Sequence, residues 1–215
     1  KKVFYLAVVA LVVLCTGCKE EYTTPINPLA ISLFAPAGNG STFEYADARS
    51  NSEPTFTVTV SDFSDYTNTC SERKVYSQAI TYKLGGETCT VYSPSCIEDN
   101  LAYIKVNVPH VGVIEINMDA EGKSTNWTNY EKLNSYDVNG VSYPDVHKFD
   151  YEIGTDVYHF FYAENIGLIW VYDNQQKVSM KLIGNNIFTK FLGGITTEIR
   201  QQESAVGRLL LLIKV

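Results

Sequence analysis

Five cysteines and three histidines are the side chains of this 215-residue sequence that could carry nucleophilic, redox or metal chemistry. The motifs that would place such groups in a known catalytic site do not occur: there is no Gly-x-Ser-x-Gly, no His-Glu-x-x-His, no P-loop and no dinucleotide fingerprint. The paired carboxylates of a glycosidase have no fixed sequence spacing, so that chemistry stays open. The sequence therefore predicts no cofactor.

Three cysteines, Cys70, Cys89 and Cys96, lie in the body of the chain, and no two of them have Cys-x-x-Cys spacing. A two-residue hairpin turn at Gly85-Gly86 would place Cys89 opposite Tyr82 and bring Cys70 and Cys96 to the open end of the hairpin. We therefore predict a disulfide between Cys70 and Cys96. A bridge between Cys89 and Cys96, or three reduced thiols, are the alternatives.

The three histidines, His110, His147 and His159, all lie in or beside predicted strands. A metal or acid–base site needs at least two of them close to a carboxylate. His147 and His159 face each other if their hairpin centres on residue 153, and that register also pairs Asp150 with Asp156. Side chains on a solvated sheet face are the simpler interpretation, so we predict no metal site.

The N-terminal residues combine two lysines with an uninterrupted apolar run, Val3–Leu14. These twelve residues would form a helix of roughly 18 Å, well short of the about 30 Å hydrocarbon core of a bilayer. A cleaved signal peptide over residues 1–17 is therefore predicted.

The next residues, Cys15-Thr16-Gly17-Cys18, resemble the lipobox of bacterial lipoproteins, in which small residues precede the cysteine that is lipidated and becomes the mature N-terminus. Thr16-Gly17 suits this pattern, so Cys18 is the predicted lipidation site. Cys15 follows the bulky Val13-Leu14 and stands where the lipobox usually has Leu. The resemblance implies several acyl chains, palmitate among them, on Cys18, and these would anchor the chain stably. An ordinary secretory signal is the alternative.

Lys19-Glu20-Glu21 resembles the signal that sends lipoproteins of Bacteroidota to the outside of the outer membrane. The resemblance implies a lipid-anchored outer-membrane protein on the cell surface, with the periplasmic face as the alternative. Residues 18–30 are predicted to be a flexible tether because Lys19–Pro28 is polar and contains two prolines. Residues 31–215 form the predicted folded domain, with a sub-boundary near residue 109.

Charge and composition exclude some classes of function. A formal net charge of -7 and four scattered arginines argue against nucleic acid as a partner, because phosphate binding requires a basic surface. Aromatic residues make up 13% of the chain, which favours half-buried sheet surfaces over a helical bundle.

The elements that position these side chains are predicted to be strands. Apolar and polar residues alternate in Phe56–Val60, Ile104–Val108 and Phe149–Ile153, whereas Val157–Tyr162 and Leu168–Tyr172 are apolar on both faces, as in central strands. Turn residues recur about every ten residues. We predict an all-β antiparallel meander that forms a sandwich or a curled, partly closed sheet, with strands near 31–35, 42–46, 55–61, 75–84, 87–93, 101–108, 111–118, 128–138, 146–153, 156–163, 167–173 and 177–184.

The C-terminal tail has a different pattern. Ile199, Val206, Leu209, Leu210 and Ile213 share a helical face, with Thr197 as an N-cap, so the pattern favours a short helix over a buried strand. The apolar run 209–215 would pack on the sheet or dock onto a partner.

Three aromatic residues near one predicted loop, Trp127, Tyr130 and Tyr136, could stack on sugar rings and form a ligand-binding site. Most tyrosines of a sheet protein are instead cross-strand packing partners.

The segment Asn117–Gly122 has the oxygen spacing of a calcium loop. The twelfth position of such a loop is a glutamate that binds the ion through both oxygens, but here it is Thr128. We therefore interpret the segment as a polar hairpin loop.

The segments Asn139–Val146 and Phe161–Ile169, followed by Val178–Leu182, are similar to a recurring end of uncharacterised Bacteroidota lipoproteins. This resemblance spans Leu133–Ile183 and implies location and fold but no activity. Together the patterns predict a cell-envelope lipoprotein that acts as a binding or scaffolding module for a glycan or an envelope protein. The alternative is a glycan or peptide hydrolase whose carboxylates the sequence does not locate.

Overall fold

The computed structural model describes residues 22–47, 55–69, 75–93, 101–119, 121, 123, 129–175, 178–189, 197–201 and 212–214. The predictions for the signal peptide, Cys18, Cys70, Cys96 and Trp127 lie outside these residues. Within them the chain forms one helix, α1 (Pro28–Phe34), and fourteen strands. The strands are β1 (Tyr22–Thr24), β2 (Thr42–Asp47), β3 (Thr55–Thr69), β4 (Val75–Leu84), β5 (Glu87–Tyr92), β6 (Ala102–Val108), β7 (Gly112–Met118), β8 (Tyr130–Val138), β9 (Val141–Ile153), β10 (Asp156–Ala163), β11 (Gly167–Asp173), β12 (Ser179–Thr189), β13 (Thr197–Gln201) and β14 (Leu212–Lys214).

All of these strands belong to a single sheet that curls strongly into a half-barrel. Strands β2 to β7 form one antiparallel meander, β8 to β12 form a second, and the pairing of β2 with β12 joins the two. Strand β1 pairs parallel with β4, and β13 and β14 extend the sheet beyond β12. The all-β prediction is confirmed in its curled-sheet form, with β10 and β11 as interior strands of the second meander.

The hairpin turns follow the residues predicted to make them. Gly85 and Gly86 adopt φ angles of 56° and 95°, which side chains disfavour, and the turn sets Tyr82 opposite Cys89 as predicted. The sub-boundary predicted near residue 109 falls in another turn: the Val111 N–H donates to the Val108 carbonyl between the adjacent strands β6 and β7. The chain therefore continues through residue 109 within one hairpin.

The prediction of a strand near residues 31–35 is wrong, because α1 covers Pro28–Phe34. Asn27 caps the helix by accepting a hydrogen bond from the Leu29 N–H at 2.9 Å, and Pro28 occupies the first turn. The five residues 31–35 are too few for their periodicity to distinguish a helix from a strand. Part of the segment predicted as a tether, residues 18–30, is also folded, since Tyr22–Thr24 forms β1 and Ile26 is buried.

The C-terminal helix prediction is also wrong at residues 197–201 and 212–214, the part of this tail that the structure describes. The described residues of this tail form β13 and β14, and Thr197, the predicted N-cap, is the first residue of β13. Ile199 lies directly opposite Ile187 of β12 and opposite Ile213 of β14. Pairing with the open edge of β12 satisfies backbone groups that an edge strand would leave unpaired, so tertiary context overrides the weak helical spacing.

Helix α1 fills the hollow of the half-barrel. Leu33 is fully buried, and the Phe34 ring lies 4.6 Å from the Tyr162 ring and 6.2 Å from the Phe149 ring, both on the concave face. The Ser32 carbonyl accepts a hydrogen bond from the Asn165 N–H in the β10–β11 turn at 2.9 Å. The helix is thus the centre of the core and not a surface appendage.

Candidate ligand-binding pocket

A pocket with about 70 Å³ of free space lies between the C-terminal end of α1 and the concave face of the sheet. Twenty residues line it, and only Tyr45, Tyr82, Tyr162 and Asn107 among them carry a hydroxyl or an amide. This lining, all of it within the described residues, contains no Asp, Glu, Lys, Arg or His. The pocket is therefore an apolar cavity with a few neutral hydrogen-bonding groups.

Alternation along the strands supplies this lining. Phe43 of β2 lies directly opposite Val58 of β3, and Val60 lies opposite Leu84 of β4, so each pair points to the same concave face. Val106 reaches the pocket from β6. The intervening residues, such as Thr57 and Thr59, are exposed. The period-2 pattern read from the sequence is thus the pattern that builds the pocket wall.

Three buried tyrosines contribute the hydroxyls. Tyr45 donates to the Leu168 carbonyl at 2.9 Å, and Tyr82 donates to the Phe34 carbonyl at the end of α1. Tyr162 is 3% exposed and its hydroxyl makes no hydrogen bond with the described part of the chain. Burial raises the pKa of all three phenols, so each keeps its proton at neutral pH and acts as a neutral donor.

His147, in the middle of β9, forms a separate cluster with residues from the start of β8 and from the turn after β10. Its Nδ1 lies 2.9 Å from the Tyr130 hydroxyl, and its Nε2 lies 2.9 Å from Oε1 of Glu164. Lys132 Nζ approaches the same carboxylate oxygen at 3.2 Å. The His147 side chain is fully buried, and burial lowers its pKa. A neutral ring that donates from Nε2 to Glu164 and accepts at Nδ1 from Tyr130 satisfies all of these contacts.

The predicted meeting of His147 and His159 is wrong. Gly154 and Thr155 form a two-residue turn that pairs Ile153 with Asp156, so the hairpin does not centre on residue 153. In the observed register His159 lies opposite Asp150, and His147 lies opposite Tyr162. The two histidines therefore occupy separate clusters. No group of three or more metal-ligating side chains occurs among the residues that the structure describes.

Asp150 orients His159. Its Oδ1 lies 2.6 Å from His159 Nδ1, and its Oδ2 accepts from Asn129 Nδ2 at 3.1 Å. The His159 ring packs 4.7 Å from the Tyr172 ring, and its side chain is 21% exposed. Such a pair could hold a proton acceptor in place, but among the described residues no Ser or Cys lies within hydrogen-bonding distance of His159. Nucleophilic catalysis has no support at this position.

Tyr130 and Tyr136, the predicted sugar-stacking residues, lie in different aromatic clusters. Tyr130 donates to His147 Nδ1 and its ring packs 5.4 Å from the Phe149 ring, whereas the Tyr136 ring stacks 4.5 Å from the Phe161 ring. These are the contacts of cross-strand packing partners. Trp127 lies outside the described residues, so glycan binding by these three side chains stays a prediction.

Cys89 is a free, fully buried thiol beside the pocket. Its Sγ accepts a hydrogen bond from the Asn107 N–H at 3.4 Å, and burial raises its pKa. The alternative bridge between Cys89 and Cys96 is therefore not formed, whereas the predicted pairing of Cys70 with Cys96 lies outside the described residues.

The segment with calcium-loop spacing forms a turn around Asp119. Its Oδ1 accepts from the N–H groups of Glu121 at 3.1 Å and Lys123 at 2.7 Å. These bonds use the carboxylate to close a polar turn. The interpretation as a hairpin loop is wrong, because the flanking strands β7 and β8 lie at opposite ends of the strand order and do not pair with each other.

No family model, no curated protein and no solved structure matches the chain. In the described part of the chain, no helix is both long enough and apolar enough to cross a membrane. Sequence reasoning missed the pocket because its walls come from α1 and from strands β2, β3, β4, β6, β10, β11 and β12, many of which are distant in sequence. The only sequence signal was the apolar alternation itself.

Proposed function

We propose that this chain is a cell-envelope lipoprotein whose half-barrel domain binds a small apolar ligand. The observation that supports binding is the pocket between α1 and the sheet, whose twenty lining residues include no charged side chain. Concave, mostly apolar cavities with a few fixed polar groups are the usual form of small-molecule sites.

The alternative function, hydrolysis of glycans or peptides, requires two carboxylates about 5 to 10 Å apart around the reacting bond. The pocket offers no carboxylate at all. Asp150 and Glu164, the two acids with histidine partners, lie outside the pocket lining and are engaged in internal hydrogen bonds. Binding without catalysis is therefore the function that the geometry favours.

The pocket is tested by filling it. The full chain should bind xenon, an apolar probe small enough for about 70 Å³ of free space, saturably in xenon NMR titrations, and Val58→Phe should weaken that binding at least about tenfold because the larger ring occupies the space. Val113→Phe is the matched control, since Val113 is 53% exposed on β7 and does not line the pocket. Equal binding by all three proteins, with circular dichroism spectra unchanged, would refute the proposal.

The envelope anchor is supported by the apolar leader and by Thr16-Gly17-Cys18. Cells that express the full chain should incorporate an alkyne-labelled palmitate into the protein, and Cys18→Ala should abolish the label. Cys15→Ala is the matched control and should keep it. Retention of the label by Cys18→Ala, with loss in Cys15→Ala, would move the anchor to Cys15, and absence of label in the wild type would remove it.

A further inference from the structure

The proposed lipid anchor and the folded domain are joined by very little chain. Only Lys19, Glu20 and Glu21 lie between Cys18 and Tyr22, the first residue of β1. Even when fully extended, this connection spans at most about 14 Å. A tether over residues 18–30, as predicted from the sequence, would span up to about 40 Å. A lipid on Cys18 therefore keeps the start of β1 close to the head groups of the bilayer.

Strand β1 lies at one end of the first meander. Tyr22 lies opposite Val75, the first residue of β4, and Thr24 lies opposite Ser77. From Val75 the strand continues to Leu84, and nine steps of roughly 3.3 Å make that distance about 30 Å. The start of β1 and the turn after Leu84 are therefore at opposite ends of the first meander.

The pocket lies at the end that is remote from β1. Leu84 lines it, and so does Val60, which lies directly opposite Leu84 on β3. Val108, the last residue of β6, and Pro109 complete this part of the lining. The anchor and the pocket thus occupy opposite ends of the same set of strands.

Charge disfavours a domain that lies on its side against the membrane. Removal of the predicted signal peptide takes away Lys1 and Lys2 and leaves 15 basic and 24 acidic side chains, a formal net charge of -9. A bilayer with anionic lipids repels such a surface. Among the residues with a described burial, large apolar side chains are exposed only at Val113 and Ile153, which is too little apolar area to hold a side of the domain on the lipid.

The β1 end carries a pair of side chains that suits lipid head groups. Tyr92, the last residue of β5, lies opposite Tyr103 near the start of β6, and their partly exposed rings are 5.1 Å apart. Tyr92 also lies opposite Ala79 of β4, two residues beyond the part of β4 that pairs with β1. Tyrosine combines an apolar ring with a polar hydroxyl, and it is enriched where proteins meet the head-group region.

We propose that the β1 end of the first meander is the membrane-facing surface of this protein and that the pocket end points into the aqueous phase. The partner of this surface is the layer of lipid head groups around the acyl chains on Cys18. This inference rests on the lipid anchor proposed above and adds the orientation of the domain to it. It also specifies that a ligand reaches the pocket from water and not from the bilayer.

The test measures how close each end of the meander comes to the lipid. The lipidated full chain is reconstituted into vesicles of phosphatidylcholine and phosphatidylglycerol that contain a lipid with a nitroxide on its head group. A fluorescent amino acid replaces either of two exposed residues. Lys123 lies beside the β1 end of β7, where its carbonyl accepts from the Asp119 N–H at 3.0 Å, and Glu87 lies opposite Leu84 at the pocket end.

Quenching should be at least about fivefold stronger at position 123 than at position 87. Quenching by the nitroxide requires near contact, and the pocket end lies on the order of 30 Å further along the strands from the anchor. Equal quenching at the two positions, or stronger quenching at position 87, would overturn the proposed orientation.

A spacer tests whether the short connection sets this orientation. A flexible Gly-Ser segment of about twelve residues between Glu21 and Tyr22 adds an average reach of about 20 Å, so quenching at position 123 should fall at least about threefold. The same segment inserted between Gly85 and Gly86 lengthens the chain without changing the tether and should leave the quenching as it is. Unchanged quenching with the spacer after Glu21 would show that the tether does not orient the domain.

The outcomes separate the orientation from the anchor itself. If palmitate labels the wild type but not Cys18→Ala, and the two positions are nevertheless quenched equally, the orientation is wrong and the proposed lipoprotein stands. If the wild type takes up no palmitate, both are wrong.

Discussion

The Nε2 atom of buried His147 lies 2.9 Å from Oε1 of Glu164, a residue of the turn that follows β10. The opposite ring nitrogen meets the Tyr130 hydroxyl of β8. One imidazole therefore connects β8, β9 and the β10–β11 turn. The neighbouring residues of that turn, Ile166 and Gly167, line the pocket, so this cluster supports the pocket without belonging to it.

Glu164→Ala should lower the free energy of unfolding by about 1–2 kcal/mol, because it leaves the buried Nε2–H of His147 without its acceptor. The value is kept low because the Glu164 side chain is 26% exposed and solvent screens its charge. Glu164→Gln should cost less, since an amide oxygen can still accept. Urea unfolding at pH 7.5 measures both. Glu131→Ala, at an exposed position of β8, is the control and should stay within about 0.5 kcal/mol of the wild type.

The same cluster makes stability depend on pH. Burial holds the pKa of His147 below its usual 6.5 in the folded protein, so the unfolded chain takes up this proton first. Stability should therefore decrease as pH falls through 6.5 towards the folded-state pKa.

Glu164 adds a second pH dependence at lower pH. Partial burial opposes the shift, but hydrogen bonds to His147 and Lys132 lower the pKa of this carboxyl. The stability that Glu164 contributes should therefore be lost below pH 4.5, as pH falls through its folded-state pKa.

His147→Gln removes the first of these two contributions. Between pH 7.5 and 5.5 the variant should lose less stability than the wild type, as measured by urea unfolding at each pH. Parallel pH profiles for the two proteins would show that His147 does not contribute.

Local patterns predicted most of the fold. Alternation in segments such as Ile104–Val108 and the glycine turn at Gly85-Gly86 were sufficient for strand positions and for the Tyr82–Cys89 register. They could not predict how the sheet is connected, because β3 pairs with β2 at its start and with β4 over the rest of its length, with a register shift between Ser61 and Ser64. The position of such an irregularity depends on which strands meet there, and that is not encoded in a local pattern.

The site was harder to predict than the fold. His147 and Glu164 meet because a two-residue turn at Gly154-Thr155 fixes the β9–β10 register, and moving the centre of that turn places other residues opposite His147. The pocket also depends on α1, whose start at Asn27 and Pro28 is marked only by a cap. Errors of a few residues in such elements therefore change the predicted site completely while leaving the predicted fold class unchanged.

The importance of α1 for the core is tested at Leu33. Leu33→Ala should lower the free energy of unfolding by about 2–5 kcal/mol, because it removes a fully buried side chain and leaves a cavity in the hollow of the half-barrel. Val113→Ala, at a 53% exposed position of β7, is the control and should change stability by less than about 0.5 kcal/mol. Similar unfolding midpoints for the two variants would contradict the placement of the helix in the core.

Cys89 should be unreactive in the folded protein. The thiolate is the reactive form, and burial raises the pKa of this thiol while the surrounding strands exclude reagent. Iodoacetamide should therefore alkylate Cys89 on the order of a hundredfold more slowly in buffer than in urea, because reaction requires opening of the sheet.

The same experiment tests the predicted disulfide. Peptide mapping of the full chain without reductant should show Cys89 alkylated in urea and Cys70 and Cys96 still joined. Alkylation of Cys89 at equal rates in buffer and in urea would contradict its burial. Alkylation of Cys70 and Cys96 in urea without reductant would contradict the predicted disulfide and would leave the result for Cys89 unchanged.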